Sequence, residues 1–298
     1  MITILHPYLW YAGNIEPALE KCYPMGASMT TFSILTLNCY GVPAPGTSRR
    51  LSALARILNG EHLSAVCLQE VQANTYRRQL AQDCVCYPFQ AYEPFVHAPK
   101  GGLLTLAQQP IEQAEFFLYK ERGLWYTPAL ADWILHKGIL KSCVSLDGLE
   151  VVIINTHLTA NYMGNWSPRN PYARHEHRQL RQLAELVQSQ PPQAMVLVCG
   201  DFNIPRGSWL YESFLNASGL QDPMTGHTQP TLRPRRMMPD RYFAPIDYAL
   251  FRAPDIPGLK VESRLRFEEK VYDEGRHVLL SDHYGVELIA SWQPQVVS

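Results

Sequence analysis

The chain reads as one α/β domain built on mixed β-sheets. Three observations predict this. Short apolar runs, several rich in β-branched residues, recur along the 298 residues, as expected for strands covered on both faces. Amphipathic helices fall between some of these runs, and hairpin-like strand pairs between others, which argues against a purely parallel array. Hydrophobic content of 46% with 18% charged residues suits a sizeable core, and neither an internal repeat nor a midpoint shift in composition divides the chain.

Taken in order, the first strand is 32–39, opening Phe32-Ser-Ile-Leu-Thr-Leu37. Leu51, Leu54, Ala55 and Leu58 follow at i, i+3, i+4, i+7, which predicts a helix stopped at Gly60. Strands are then expected at 64–70, 101–108, 139–146 and 150–158. Leu180, Leu183, Ala184 and Val187 repeat the helical spacing, and Pro191-Pro192 ends that helix. A strand at 194–201 precedes a shorter helix at 208–216, before the break at Gly219. Strands at 246–252, 260–267 and 284–292 complete the pattern, the last mixing polar and apolar residues as a half-exposed strand does. Two long polar loops remain, 162–172 and 226–245; the second carries Arg233, Arg235, Arg236 and Arg241 with Met237 and Met238. Loops of such length are mostly functional or disordered.

Residues 1–31 are read as an N-terminal extension, with Met29 as an alternative start, and 32–298 as the catalytic domain. The N-terminus lacks a basic segment and is broken by His6 and Pro7, a poor signal peptide. No apolar stretch reaches the ~18–20 residues of a membrane span. Of seven cysteines, Cys39, Cys67, Cys143 and Cys199 lie in apolar runs, and Cys84 and Cys86 have no second pair at zinc-finger spacing. A reducing, cytoplasmic compartment is expected, without structural zinc. A net charge of −1 gives no global basic field for nucleic acid, although a local groove stays open.

The informative feature is what ends the strands. Asn38 ends the first; Gln69-Glu70 ends the second; Asn155-Thr156-His157 and Gly200-Asp201-Phe202-Asn203 end two more. Asp247 opens another, and Ser281-Asp282-His283 precedes the last. Singly, each has a plain structural reading. Glu70 suits an exposed position after a strand, His157 a hydrogen-bonded structural role, Asn38 and Asn203 turns, Asp247 a cap beside Pro245, and Asp282-His283 a solvated pair. Jointly they match the needs of phosphodiester hydrolysis: positive charge on the phosphoryl oxygens, a deprotonated in-line water and a stabilised leaving oxygen. Glu70 is then the principal ligand of a hard cation, Asn38 stands beside it, and Asp282 is a further ligand. His283 is the candidate general base with Asp247 fixing its tautomer, and Asp201 orients or helps deprotonate the water. Asn203 donates to a phosphate oxygen, and His157 donates there or protonates the leaving oxygen.

In that order, from Leu37-Asn38 through Leu68-Gln69-Glu70, Thr156-His157-Leu158, Gly200-Asp201-Phe202-Asn203 and Ile246-Asp247-Tyr248 to Ser281-Asp282-His283, the motifs resemble the endonuclease/exonuclease/phosphatase superfamily. The resemblance spans residues 32–292. It implies a four-layer sandwich of two mixed β-sheets flanked by helices, as in deoxyribonucleases, and Mg²⁺-dependent phosphoester hydrolysis with Mn²⁺ as a substitute. Leu37-Asn38-Cys39-Tyr40-Gly41-Val42-Pro43, Thr156-His157-Leu158-Thr159-Ala160-Asn161-Tyr162, Asp132-Trp133 with Lys137-Gly138, and His177-Arg178 are similar to segments of neutral sphingomyelinases. The chain departs from the mammalian members in lacking their C-terminal pair of membrane spans. The resemblance implies a sphingomyelinase-like phospholipase C that releases a phosphorylated head group. Lys137 and Arg178 then belong to substrate binding, and Tyr162 and Trp166, with Trp125 and Tyr126, offer rings to a quaternary ammonium. A monomer is expected, favouring lipid head groups over nucleic acid and touching membranes peripherally. The alternatives are a nuclease or DNA-repair phosphodiesterase using the Arg233–Arg241 loop, an inositol phosphate or nucleotide phosphatase, and a scaffold that only binds.

Overall fold

The computed structural model describes residues 29–123, 127, 130–234 and 239–293. Residues 1–28 of the N-terminal extension, Trp125, Tyr126, Arg235, Arg236, Met237 and Met238 lie outside them. Elements follow as β1 (Thr30–Gly41), α1 (Thr47–Glu61), β2 (Ala65–Val71), α2 (Asn74–Asp83), β3 (Phe89–Ala91), β4 (Leu104–Ala107), β5 (Gln113–Leu118), α3 (Leu130–Ile134), β6 (Gly138–Leu146), β7 (Leu149–His157), α4 (Pro171–Gln188), β8 (Met195–Asp201), α5 (Trp209–Ser218), β9 (Asp247–Arg252), β10 (Lys260–Arg266), β11 (Val271–Asp273), β12 (Arg276–Val278) and β13 (Gly285–Trp292).

Two mixed sheets result. One runs β10-β13-β1-β2-β4-β3 and the other β5-β6-β7-β8-β9, with a separate β11-β12 hairpin. Each has a central parallel pair, β1 with β2 and β7 with β8, flanked by antiparallel neighbours. The period-two alternation of the strands sorts their side chains into three packed layers. Phe32 and Ile34 of β1, Val151 and Ile153 of β7, and Met195, Leu197 and Cys199 of β8 meet between the sheets. Leu35 and Leu37 face outward onto Leu51, Leu54 and Leu58 of α1 and Leu80 of α2. Val152, Ile154, Val196 and Val198 face the opposite way, onto Leu180, Leu183 and Val187 of α4 and Phe214 of α5. The architecture is therefore helix, sheet, sheet, helix, the expected four-layer sandwich. Each fully buried leucine or valine of α4 contributes about 1.5–3 kcal/mol, and Asn170 caps that helix by accepting from the Tyr172 N–H at 2.8 Å.

The expected strand at 101–108 is shorter. Gly101 and Gly102 form a tight turn with φ of 66° and 65°, and only Leu104–Ala107 pairs with β2 and β3. Four strands and two helices were not signalled by periodicity. β3, β11 and β12 are three residues long, α3 has five, β5 is a largely exposed edge strand, and α2 buries only Leu80.

Candidate active site

Strand parity brings the polar ends together. Asn38 continues the phase of Phe32 and Ile34, His157 that of Val151 and Ile153, Asp201 that of Met195 and Leu197, and Asp247 that of Ala249. All four therefore emerge at one end of the layer between the sheets. The register sets His157 opposite Asp201 across the parallel β7/β8 pair, and Asp201 opposite Asp247 across the antiparallel β8/β9 pair. The close approach at Gly200 permits this: a Cβ there would lie 2.0 Å from the Thr156 carbonyl oxygen, so only glycine fits.

Glu70 breaks the phase of its strand. Alternation would send it outward with Val66 and Leu68, but its backbone is left-handed at φ 59°, and its Oε1 accepts from Asn38 Nδ2 at 3.1 Å. A left-handed non-glycine residue costs on the order of 1–3 kcal/mol and persists where surrounding structure enforces it. Here the neighbour is Gly41, whose missing Cβ would lie 2.3 Å from the Glu70 carbonyl oxygen. Asn203 is also left-handed, at φ 54°.

Asp201, buried, is the hub. Its Oδ2 accepts from Asn38 Nδ2 at 3.0 Å and lies 3.4 Å from His157 Nε2 and 3.9 Å from His283 Nε2. Its Oδ1 accepts from the Asn203 N–H at 3.0 Å. On the far side of the imidazole, His283 Nδ1 meets Asp247 Oδ2 at 2.9 Å. Thr231 Oγ1 holds the start of β9 by accepting from the N–H groups of Ile246 and Asp247. Ser281 Oγ accepts from the His283 N–H at 3.1 Å and donates to the Asn38 carbonyl at 2.5 Å, tying the last motif to the first.

The electrostatics follow from burial and neighbours. Burial, reinforced by the Asp247 charge, pushes the Asp201 carboxyl up to about 7. Burial opposes charging His283, but the Asp247 carboxylate and its hydrogen bond prevail, with Asp201 adding to them, and hold the imidazole up to about 10. His157 is pushed well below its ordinary value by burial and by the charges of Lys137 and His283. The set at neutral pH is thus the His283 imidazolium between Asp247 and Asp201, with Asp201 titrating near neutrality, and a neutral second imidazole in His157.

Two places suit a hard dication. Glu70 is half-buried at the mouth, and no lysine or arginine pairs with it among the described residues. Its remaining lone pairs fit a cation that keeps several waters. Asp201, Asp247 and His283 form a second cluster, their ligand atoms within 4.8 Å of one another, and Asp247 Oδ1 is buried without a hydrogen-bond partner, but a dication there would have to displace the proton that His283 holds. Asn38 presents its amide nitrogen to Glu70 and Asp201, since its Oδ1 accepts from the Tyr40 N–H at 3.0 Å. Asp282 is half-buried, its Oδ1 3.3 Å from the Ser281 Oγ, and borders a depression of about 520 Å³ with Tyr40, Arg50 and Arg233.

The other expected substrate residues divide. Lys137 is buried against Asp132 at 3.0 Å and donates to the Leu158 carbonyl at 2.7 Å, the same oxygen that takes Asn203 Nδ2 at 3.1 Å. Tyr162 and Trp166 line a largely apolar depression of about 280 Å³ that includes Asn203, Tyr242 and Ile246. Trp166 Nε1 donates to the Asn203 carbonyl at 3.1 Å, joining that depression to the Asp201 loop. Arg178 is exposed and paired with Glu121 at 2.7 Å, lining a separate depression with Lys120 and Arg181.

A layer of support was not read from the sequence. Gln69 Nε2 donates to Asn155 Oδ1 at 2.8 Å, and Asn155 Nδ2 donates to the carbonyls of Leu68 and Leu104, so the two sheets are bonded to each other just behind the site. Both residues stand at inward-facing strand positions where an apolar side chain is the rule. That is the signal by which they could have been found.

The Endonuclease/Exonuclease/phosphatase family profile matches residues 35–283. A Drosophila melanogaster protein named "Putative neutral sphingomyelinase" is 26% identical over 275 residues, covering 85% of this chain and 59% of that protein. The chain thus spans less than two thirds of that relative. Sphingomyelinase C from Streptomyces griseocarneus superposes with a TM-score of 0.67 at 21% identity, over 88% of this chain and 99% of that one. D. rerio TDP2, complexed with a single-strand DNA product, superposes with a TM-score of 0.68 at 18% identity, over 88% and 99%.

Proposed function

The chain belongs to the Endonuclease/Exonuclease/phosphatase family, and from that premise we propose that it is a divalent-metal-dependent phosphodiester hydrolase of sphingomyelinase type, releasing a phosphorylated head group from a lipid. The observation that carries the reading is the convergence of Asn38, Glu70, His157, Asp201, Asp247 and His283 on one end of the inter-sheet layer, beside an aromatic depression.

Glu70 would hold the cation, Mg²⁺ with Mn²⁺ as a substitute, while Asn38 as placed donates its amide N–H to Glu70 and Asp201, and Asp282 lies on the neighbouring depression with Tyr40 and Arg233. When bound, a hard dication supplies charge neutralisation at the phosphoryl oxygens and the leaving oxygen. The chain's own groups do the rest. Asp201, ionised above about 7, holds the attacking water by one oxygen and accepts its proton. His283, expected from the sequence as the general base, is instead held cationic by Asp247 and offsets the negative charge that gathers on Asp201 and the phosphoryl group. His157, neutral and 3.4 Å from Asp201, donates to the phosphoryl group or the leaving oxygen, according to its tautomer. Lys137 and Asn203 brace the Leu158 carbonyl and so fix the chain next to His157.

The lipid preference rests on the similarity to the Drosophila protein and on Tyr162, Trp166 and Tyr242 around the 280 Å³ depression, whose rings suit a quaternary ammonium. Replacing Tyr162 and Trp166 together by leucine should raise KM for sphingomyelin about tenfold and leave KM for a diester without choline within about twofold. Equal effects on both substrates would remove the aromatic depression from head-group recognition.

A further inference from the structure

A depression of about 340 Å³ lies between the N-terminal turns of α1 and the β11-β12 hairpin, outside the hydrolytic cluster. Its walls carry Arg49 and Arg50 from α1, Lys270 before the hairpin, and Arg276 and His277 from β12. We propose that this depression is a second anion site that binds a phosphate-bearing head group or a small soluble phosphate.

Three independent sources of positive charge meet there. The first is the side chains of Arg49, Lys270 and Arg276. The hairpin's own acids are taken mainly by Arg56, which holds Asp273 at 2.8 Å and Glu274 at 3.4 Å, and Arg276 acts on Asp273 through charge alone. Arg49, Arg50, Lys270 and Arg276 make no ion pair with a carboxylate among the described residues. The second is Arg50, which spends its donors on the neutral carbonyls of Cys39, Tyr40 and Leu280 and so keeps its full charge. The third is the start of α1, fifteen residues long. Gly46 gives it no side-chain cap, and its first turn has no acid. Arginines occupy the turn where an anion is electrostatically preferred.

The occupant is a compact phosphate more than a nucleic acid strand, since no Phe, Tyr or Trp among the described residues lines the depression as a platform for bases. Arg50 and Leu279 are shared with the neighbouring depression that carries Tyr40 and Asp282. An anion held here would lie beside the depression that carries Asp282, and a lipid source would bring that face to an anionic surface.

The test uses the full chain in EDTA, so that no turnover intervenes. Sedimentation with phosphatidylcholine vesicles, with and without phosphatidylserine, reads the lipid source, and titration with pyrophosphate reads the soluble one. Arg49→Ser with Arg276→Ser removes two exposed cations, and Arg49→Lys with Arg276→Lys conserves charge at the same positions. The serine pair should bind phosphatidylserine vesicles about thirtyfold more weakly, the loss expected for two cations at a lipid surface, and the lysine pair should stay close to wild type. Loss confined to pyrophosphate assigns the site to soluble phosphates. Binding of both probes that is the same in wild type and the serine pair, with matching thermal unfolding, overturns the proposal. So does a difference seen only with a single-stranded oligonucleotide.

Discussion

At the scale of the residue, Asp201 is the group on which the account turns, and its burial has a measurable consequence. The folded carboxyl is raised to about 7 by burial and the Asp247 charge, against an ordinary value near 3.8. The folded state therefore holds a proton that the unfolded state has released between about pH 4 and pH 7. Its stabilising effect is complete below about 4 and is lost as pH rises through about 7. In EDTA at pH 8, Asp201→Asn should be more stable than wild type by about 1–3 kcal/mol in urea unfolding, while turnover measured in Mg²⁺ falls by about 10³-fold or more. A variant no more stable than wild type would mean that Asp201 is not under electrostatic strain. The same shift sets the pH profile. Without its charge Asp201 accepts no proton from water, so the rate should fall on the acid side of about 7. An alkaline limb belongs toward 10, where His283 loses its charge. Cation binding can only lower the acid limb, because a dication favours the ionised carboxylate. An acid limb well above 7 would contradict the assignment.

Among the elements, the parallel pairs β1/β2 and β7/β8 place the chemistry, and their glycines and polar cross-links keep it in place. Gly200→Ala would drive a Cβ into the Thr156 carbonyl and should cost about 3 kcal/mol or more, visible as a lowered urea midpoint. Asn155→Leu should cost about 1–3 kcal/mol, because Gln69 and the carbonyls of Leu68 and Leu104 lose their buried partner. An unchanged midpoint for Asn155→Leu would show that the sheets do not depend on that bridge. These elements also explain what could be read from the sequence. Strands buried on both faces announce themselves by composition, so β1, β2, β7, β8 and β9 and the polar residues at their ends were legible. The left-handed turn at Glu70 was not, because alternation alone sends that side chain to the wrong face. Thr231 was missed because its role is to satisfy two backbone N–H groups of a strand that starts sixteen residues later, and nothing local marks it. The edge strands β5, β11 and β12 bury too little to leave a periodic trace.

For the whole molecule, two sheets stacked with their parallel pairs aligned put groups more than two hundred residues apart in sequence, Asn38 and His283, into one cluster around Asp201. Arg178, drawn into substrate binding by the short His177-Arg178 match, instead sits on another face with Glu121. That contrast shows why motif order along the chain is a better guide to the hydrolytic cluster than to its substrate. None of the described helices is long and apolar enough to cross a membrane. The most direct measurement is phosphocholine release from sphingomyelin in mixed micelles, by wild type, Glu70→Gln and His283→Ala, each in Mg²⁺ and in EDTA, with a nicked DNA duplex run in parallel. The account expects Mg²⁺-dependent release by wild type, none in EDTA, and losses of about 10²–10⁴-fold in both variants, with DNA left intact. Release that persists in EDTA or survives His283→Ala would contradict the site, and DNA cleavage with no lipid turnover would contradict the substrate.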